Sequence, residues 1–246
     1  MSGHRFYIPP HSWKPGRLAL DPGESHHALD VLRLKVGDRV TVFNGEGAEA
    51  MAEIAKADRG GIALAAVQTH QTPPLGCAIT LGQAIPKGKN MELIIEKATE
   101  LGAAGIAPLL SERTVVQCSA DEALKKKQKW QRVAVEACKQ CGQNWLPTIH
   151  TPQTPKDFFA GNHRFDLMLV ASLQSDSRHL KATLAEFGAQ RPRSVLVLVG
   201  PEGDFTPAEL ALARSSGCRP ISLGPIILRT ETAAIYSLSV LAHELY

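Results

Sequence analysis

Two uninterrupted apolar runs, Leu167–Ala171 and Val195–Val199, constrain this chain more than any other feature. A strand with one wet face alternates apolar and polar side chains. A strand covered on both faces reads as a continuous hydrophobic run, as at the centre of a parallel sheet flanked by helices. Helical signals surround these runs. Thr206-Pro207-Ala208-Glu209 combines an N-cap threonine, proline at the first helical position and glutamate at the third, which is a capping box. Thr230 is placed to cap a last helix running nearly to Tyr246, with Glu231 favourably in its first turn.

The rest of the chain after Leu75 repeats the alternation. Ala78–Ala84 reads as a strand. Asn90 is placed to cap a helix whose apolar positions Met91, Ile94, Ile95, Ala98 and Leu101 follow a 3.6-residue period, and Gly102 ends it. Ile106–Leu110 reads as a short buried strand, and a long helix is expected from Asp121 to Gln140, closed by Gly142. Arg178–Phe187 reads as helix and Pro220–Leu223 as the last strand. Strands alternating with helices in this way predict an α/β domain with a parallel sheet.

The first seventy or so residues have a different texture. Arg17–Leu20, Arg39–Phe43, Ala48–Ala55 and Gly61–Val67 are short strand candidates, separated by Val36-Gly37-Asp38 and Phe43-Asn44-Gly45 turn signals. One short helix is expected over Glu24–Leu32. Many short strands with close turns predict a small β-barrel. Gln71-Thr72-Pro73-Pro74 interrupts regular structure and is the expected linker, placing the domains at 1–72 and 75–246.

Composition narrows the class. The hydrophobic content of 44% against 21% charged residues excludes a disordered or fibrous chain. No apolar run approaches the ~20 residues that span a bilayer, and no secretory signal is evident, so a cytoplasmic location is expected. A net charge of +3 permits a polyanionic partner without demanding one; the excess lies beyond Thr72, much of it in Lys125, Lys126, Lys127, Lys129 and Arg132. A solvated helix face is the plainer reading of that run. Five cysteines, an odd number, argue against a disulfide framework. Cys138 and Cys141 form a C-x-x-C, but no second pair stands at ligand spacing, so no metal is expected.

Two loops hold the chemistry. Val199-Gly200-Pro201-Glu202-Gly203-Asp204 and Leu223-Gly224-Pro225-Ile226-Ile227-Leu228-Arg229-Thr230-Glu231-Thr232 each come after a buried strand and before a helix start. Ligands of open α/β sheets bind beyond the carboxyl ends of the strands, where such loops gather. Glycine there lets the backbone approach a ligand closely. Plain strand-to-helix turns would need the same residues, so spacing alone leaves both readings open. Neither loop fits G-x-x-x-x-G-K-[ST] or G-x-G-x-x-G, and H-E-x-x-H and G-x-S-x-G are absent.

Taken together, these loops resemble the two cofactor loops of the SPOUT methyltransferases, and more narrowly those of the RsmE family, the bacterial ribosomal small-subunit RNA uridine-N3 methyltransferases. Further stretches match that family in order: Arg5-Phe6-Tyr7, His26-His27 to Arg33, Gly37-Asp38, Leu81-Gly82-Gln83 with Lys87-Gly88, Glu100-Leu101-Gly102, Pro108-Leu109 with Ser111-Glu112-Arg113, and Ala137–Asn144 with Pro147 beyond it. One departure is visible: the first loop usually reads Gly-Pro-Glu-Gly-Gly, and Asp204 stands here in place of the last glycine. Aspartate tolerates unusual φ/ψ better than most residues.

The resemblance implies a SPOUT α/β knot, with a trefoil-knotted parallel sheet in the carboxyl-terminal domain, and a PUA-like RNA-binding barrel before it. It implies S-adenosylmethionine as cofactor, ribosomal small-subunit RNA as partner and a homodimer. The cofactor would be held by Val199, Gly200, Pro201, Glu202, Gly203, Leu223, Gly224, Ile227 and Leu228, with Thr232 and Ala233 closing the pocket. Arg229 is the expected catalytic residue, stabilising charge that develops on the uracil; an ion pair with Glu231 or with an acidic residue of a second copy is its alternative. Glu202 could accept a proton or hold the cofactor, and no general base is assigned. Arg5, Tyr7, Arg33 and Lys35 in the barrel, and Arg113, Gln140 and Asn144 beyond it, carry donors or rings suited to RNA. The competing readings are a non-catalytic ribosomal RNA-binding protein, which leaves both loops unexplained, and a transfer-RNA methyltransferase of the same fold.

Overall fold

The computed structural model describes residues 3–58, 61–114, 118–161, 163–188 and 190–246. Two compact units emerge: residues up to Pro74 together with Val135–Leu146, and Leu75–Ala134 together with Pro147–Tyr246. The first therefore takes in a segment from far along the chain.

The first unit contains β1 (Arg5–Tyr7), β2 (Leu18–Ala19), α1 (Pro22–His26), β3 (Arg39–Phe43), β4 (Ala48–Asp58) and β5 (Gly61–Gln71). The strands form one sheet in the order β1-β3-β4-β5-β2, antiparallel except for the β1–β3 pair. Along β4, Ala50, Ala52 and Ile54 turn inward while Met51 turns out, the period-two pattern of a half-buried strand. Those inward residues meet Phe6, Ile8, Val40, Val42, Ile62 and Leu64 in one apolar core, so both ends of the sheet curl onto the same centre. The expected barrel is thus a five-stranded sheet wrapped about a core, and β5 continues to Gln71, into the stretch read as linker. The expected helix over Glu24–Leu32 starts earlier. Asp21 caps it through Glu24 N at 2.8 Å, and after His26 it widens into a π-turn over His27–Val31, leaving Arg33 at φ +56°.

The second unit contains β6 (Ala78–Ala84), α2 (Asn90–Glu100), β7 (Gly105–Leu109), α3 (Ala120–Cys141, its last turns belonging to the first unit), β8 (Thr148–Ile149), α4 (Pro155–Ala160), β9 (Leu167–Ala171), β10 (Arg178–His179), α5 (Leu180–Ala185), β11 (Ser194–Val199), α6 (Pro207–Ser215), β12 (Arg219–Ser222) and α7 (Thr230–Leu245). Its sheet runs β10-β12-β9-β11-β6-β7-β8, with every neighbouring pair parallel. The two uninterrupted apolar runs are β9 and β11, side by side at the centre. Residues 195–199 are at most 2% exposed, and Leu196 and Leu198 pack with Val170, Phe158, Phe205 and Leu210 on one face. α2 packs on α7, which lies against β6 and β11. Gly82 of β6 stands where a Cβ would lie 2.3 Å from Leu198 Cδ2, so only glycine admits that leucine across the strand pair.

The capping box of α6 is present with both reciprocal bonds. Two other expected caps are not. Asn90 is the first helical residue of α2, and Lys89 before it makes no side-chain cap. Thr230 is likewise the first residue of α7, because its hydroxyl is engaged elsewhere. The segment read as helix from Arg178 begins as the edge strand β10 and coils only at Leu180. Among the described residues no helix is long and apolar enough to cross a membrane.

Candidate active site

β9, β11 and β12 are adjacent and parallel, so their carboxyl ends open on one edge of the sheet. There the loops after the three strands enclose a cavity of about 680 Å³, within the ~300–1,000 Å³ of small-molecule sites. Of the expected cofactor residues, Val199, Gly200, Pro201, Glu202, Gly203, Leu223, Gly224, Ile227, Leu228 and Ala233 line it. Thr232 lies on the exposed side of α7 and is not among the lining residues, whereas Thr230 is.

The walls are mostly backbone. After β11 a turn closes with Asp204 N donating to Pro201 O at 3.0 Å. Gly203 sits at φ +90°, the positive φ a type II turn demands at its third residue. Gly200 is needed for space: a Cβ there would lie 3.1 Å from Phe205 N and 3.3 Å from the Asp204 carboxylate. After β12, Gly224 takes φ +123°, and the Ser222 hydroxyl both accepts from Gly224 N and donates to Gly224 O at 3.3 Å. The third wall, Ala171–Ser175 with Ser177 after β9, carries no glycine or motif and was missed in the sequence.

Side chains hold these loops in register. Thr230 Oγ1 donates to Gly200 O at 2.7 Å and accepts from Gln83 Nε2 at 2.9 Å, so one hydroxyl joins the start of α7 to the loop after β11 and the end of β6. Glu209 is buried at the start of α6. It accepts from Thr206 N at 2.9 Å, Glu112 N at 2.9 Å and Ser111 Oγ at 3.0 Å, tying α6 to the loop after β7. Arg113 donates to the carbonyl oxygens of Gly203 and Asp204.

Arg229 and Glu202 are the exposed charged side chains that line the cavity. Among the described residues Arg229 forms no hydrogen bond or ion pair, so the pairing with Glu231 is not made and its guanidinium is free at the cavity mouth. Glu202 Oε1 accepts from Lys87 N at 3.4 Å.

The expected RNA contacts divide. Arg33, Lys35 and Gln140 are exposed. Tyr7 is half-buried against Phe43, with ring centroids 5.4 Å apart; burial first, then Glu46, raises its phenol pKa. Arg5 and Asn144 bond within the first unit. Arg5 pairs with Glu49 and Asn144 and lies 4.4 Å over the Phe43 ring, and Asn144 Nδ2 donates to Thr72 Oγ1 at 2.7 Å. Cys138 is buried, and burial with the nearby Cys141 pushes its thiol up to about 12.

A parallel α/β sheet with a backbone-lined seat at its central strand ends defines the class: a ligand-binding α/β domain in a chain that also carries a β-rich unit. The family model for the RNA methyltransferase domain matches residues 73–242, and that for the RNA methyltransferase PUA domain matches residues 20–66. A relative from Synechocystis, "Ribosomal RNA small subunit methyltransferase E", is 34% identical over 239 residues, covering 96% of this chain and 76% of the relative. Its namesake in Bacillus subtilis is 30% identical, covering 90% and 88%. A Legionella pneumophila methyltransferase solved with bound S-adenosylmethionine superposes with a TM-score of 0.88 at 34% identity, over 99% of this chain and 98% of the other. Ribosomal RNA small subunit methyltransferase E from Neisseria gonorrhoeae, also solved with S-adenosylmethionine, gives 0.82 at 26% identity, over 98% and 97%. This chain belongs to the ribosomal RNA small subunit methyltransferase E family of RNA methyltransferases.

Proposed function

We propose that this protein transfers the methyl group of S-adenosylmethionine to N3 of a uridine in small-subunit ribosomal RNA, in the cytoplasm, and that the cavity beyond β9, β11 and β12 seats the donor. The observation that carries the reading is that cavity. It lies at the central strand ends, is walled by the two glycine-containing loops, and occurs in a chain whose relatives are solved with S-adenosylmethionine.

S-adenosylmethionine supplies a methyl group already activated on a sulfonium, so the protein's part is position and charge. The backbone of Val199–Gly203 and of Leu223–Leu228 presents N–H and C=O groups for a nucleoside, and Thr230 and Ala233 close the seat from α7. Uridine N3 must lose its proton as the methyl arrives. Arg229, unpaired at the cavity mouth, stabilises the negative charge this leaves on the ring. Of the two carboxylates lining the cavity, Asp204 has both oxygens engaged by backbone N–H groups, which leaves Glu202 to take the proton or hold the donor.

In the same proposal residues 1–72 form the RNA-binding domain and 75–246 the methyltransferase domain. Arg33, Lys35, Tyr7 and Gln140 contact RNA, as do Arg5, Asn144 and Arg113, whose side chains also carry hydrogen bonds within their own units. The carboxyl-terminal segment forms the trefoil knot, a reading supported by β12 lying beside β9 and by Thr230 bonding back to Gly200 and Gln83. A homodimer is supported by the apolar side chains left at the seat, Ile226 and Ile227, 74% and 76% exposed.

The test is transfer of isotope-labelled methyl from S-adenosylmethionine to small ribosomal subunits stripped of the modification, with mass spectrometry of the RNA as readout. Label in 3-methyluridine of the small-subunit RNA is expected. Label confined to transfer RNA, or no label with folded protein, would refute the reading.

A further inference from the structure

At the position where the family loop usually carries glycine, Asp204 has a backbone that suits glycine better than itself. Its φ is +68°, in the left-handed region that L-residues with a Cβ enter only at a cost. The carboxylate is what holds it there. Oδ1 accepts from Phe205 N at 2.7 Å, in the turn itself. Oδ2 accepts from Leu173 N at 3.1 Å, across to the loop after β9.

That second bond reaches the third wall of the cavity. Leu173, Gln174, Ser175 and Ser177 line the seat but belong to no regular element. Within the wall, Gln174 N donates to Ser172 Oγ at 3.2 Å and Ser177 N to Gln174 O at 3.1 Å, while Ser172 N is fastened to Ile221 O at 3.0 Å. Leu173 is 60% exposed, so packing does not fix it. Farther along the wall Asp176 pairs with Arg214 of α6, and among the described residues the Asp204 carboxylate is what bonds the wall to the first loop. Arg113, donating to the carbonyls of Gly203 and Asp204, holds the same turn from the other side.

We infer that Asp204 is a positioning residue for the methyl donor: it clamps the loop after β9 onto the loop after β11 and so pre-forms the third wall of the seat. A glycine at this position relieves the backbone but cannot supply the bond to Leu173. This chain has exchanged local backbone ease for a pre-organised pocket, and pre-organisation shows as affinity because the ordering cost falls outside the binding step. The inference rests on the proposed seat.

Isothermal titration of the full chain with S-adenosylmethionine tests it, using Asp204→Gly, Asp204→Asn and Leu228→Trp, the last filling the cavity from a half-buried position. A hydrogen bond to a charged group is worth ~1.5–3 kcal/mol, so Asp204→Gly is expected to weaken affinity about tenfold or more. Its unfolding midpoint should move little, because the two hydrogen bonds lost with the carboxylate offset the relief of the left-handed backbone. Hydrogen exchange at the Leu173 amide should quicken about tenfold in the unliganded variant. Asp204→Asn keeps one acceptor and should fall between. Should Asp204→Gly leave the Leu173 amide exchanging at the parental rate, or bind as tightly as the parent while Leu228→Trp does not bind, the clamp is refuted and the seat stands. Parental affinity in Leu228→Trp would refute the seat, and the clamp with it.

Discussion

Replacing Thr230 by valine tests the junction on which the seat depends. Valine keeps the shape and the β-branch of threonine and removes only the hydroxyl. Two hydrogen bonds go with it: the 2.7 Å donation to Gly200 O and the 2.9 Å acceptance from Gln83 Nε2. Thr230 is 5% exposed and Gln83 fully buried, so water does not readily replace the lost partners. Gln83 Nε2 keeps its 2.8 Å bond to Ala84 O, which leaves one of its two hydrogens orphaned. Each bond is worth ~0.5–1.5 kcal/mol net, and a stranded buried polar group costs ~1–3 kcal/mol. About 3 kcal/mol of stability should be lost, read as a shift in urea midpoint at constant slope. Thr230→Ser removes the methyl but keeps both bonds, and should cost about 1 kcal/mol. The order matters more than the sizes: the apolar isostere must be worse than the polar truncation. Valine equal to or better than serine would refute the account of this hydroxyl as the tie between β6, the loop after β11 and α7. Pairing Thr230→Val with Gln83→Leu in a double-mutant cycle should show a coupling of about 1 kcal/mol, as contacting residues do.

Arg229→Ala should leave the urea midpoint unchanged, since an exposed side chain without partners contributes little, yet reduce methyl transfer by at least about a hundredfold; near-parental turnover would remove Arg229 from the chemistry. Glu209→Ala strands three donors, from Thr206, Glu112 and Ser111, and should cost about 3 kcal/mol by urea unfolding, whereas a loss below about 0.5 kcal/mol would mean the buried carboxylate is not needed there. Burial raises the thiols of Cys138 and Cys218 from 9.0 to about 12 and, with Asp166 adding to it, Cys77 to about 11. The folded state therefore retains protons that the unfolded state releases. This contribution to stability is complete below pH 9 and declines as pH rises through the 9 to 12 window. The Cys138→Ala/Cys218→Ala variant should lose midpoint less steeply between pH 8.5 and 10.5 than the parent does; parallel slopes would contradict the burial argument.

The parts of the molecule legible in its sequence are those dictated by repetition and by backbone geometry. Leu167–Ala171 and Val195–Val199 declared themselves because a strand covered on both faces has no polar alternation, and they are the adjacent central strands β9 and β11. The loops after β11 and β12 were visible because positive φ and close approach leave few residues to choose from, as Gly203, Gly224 and Gly200 show. The capping box of α6 is a local bond pattern that needs only four residues in order. Strands of two or three residues such as β1, β8 and β10 have no period to detect, and they exist because a neighbouring strand supplies their partners.

The polar residues whose partners the sequence does not foretell share one cause. Thr230 was placed to cap α7 and Asn90 to cap α2, yet neither does so; Arg5 and Asn144, expected to meet RNA, also bond to each other within their own unit. A cap, a phosphate contact and a buried tie use the same donors and acceptors, and only the third dimension decides which partner arrives first. The Ala171–Ser177 wall is the extreme case, because its sequence satisfies no backbone demand of its own and its place is set from outside by Ile221, Asp204 and Arg214. A seat built of backbone thus divides into walls that require particular residues and a wall that merely requires a neighbour. The first kind is legible wherever glycine stands, and the second becomes visible only when the aspartate that replaced a glycine is seen holding it.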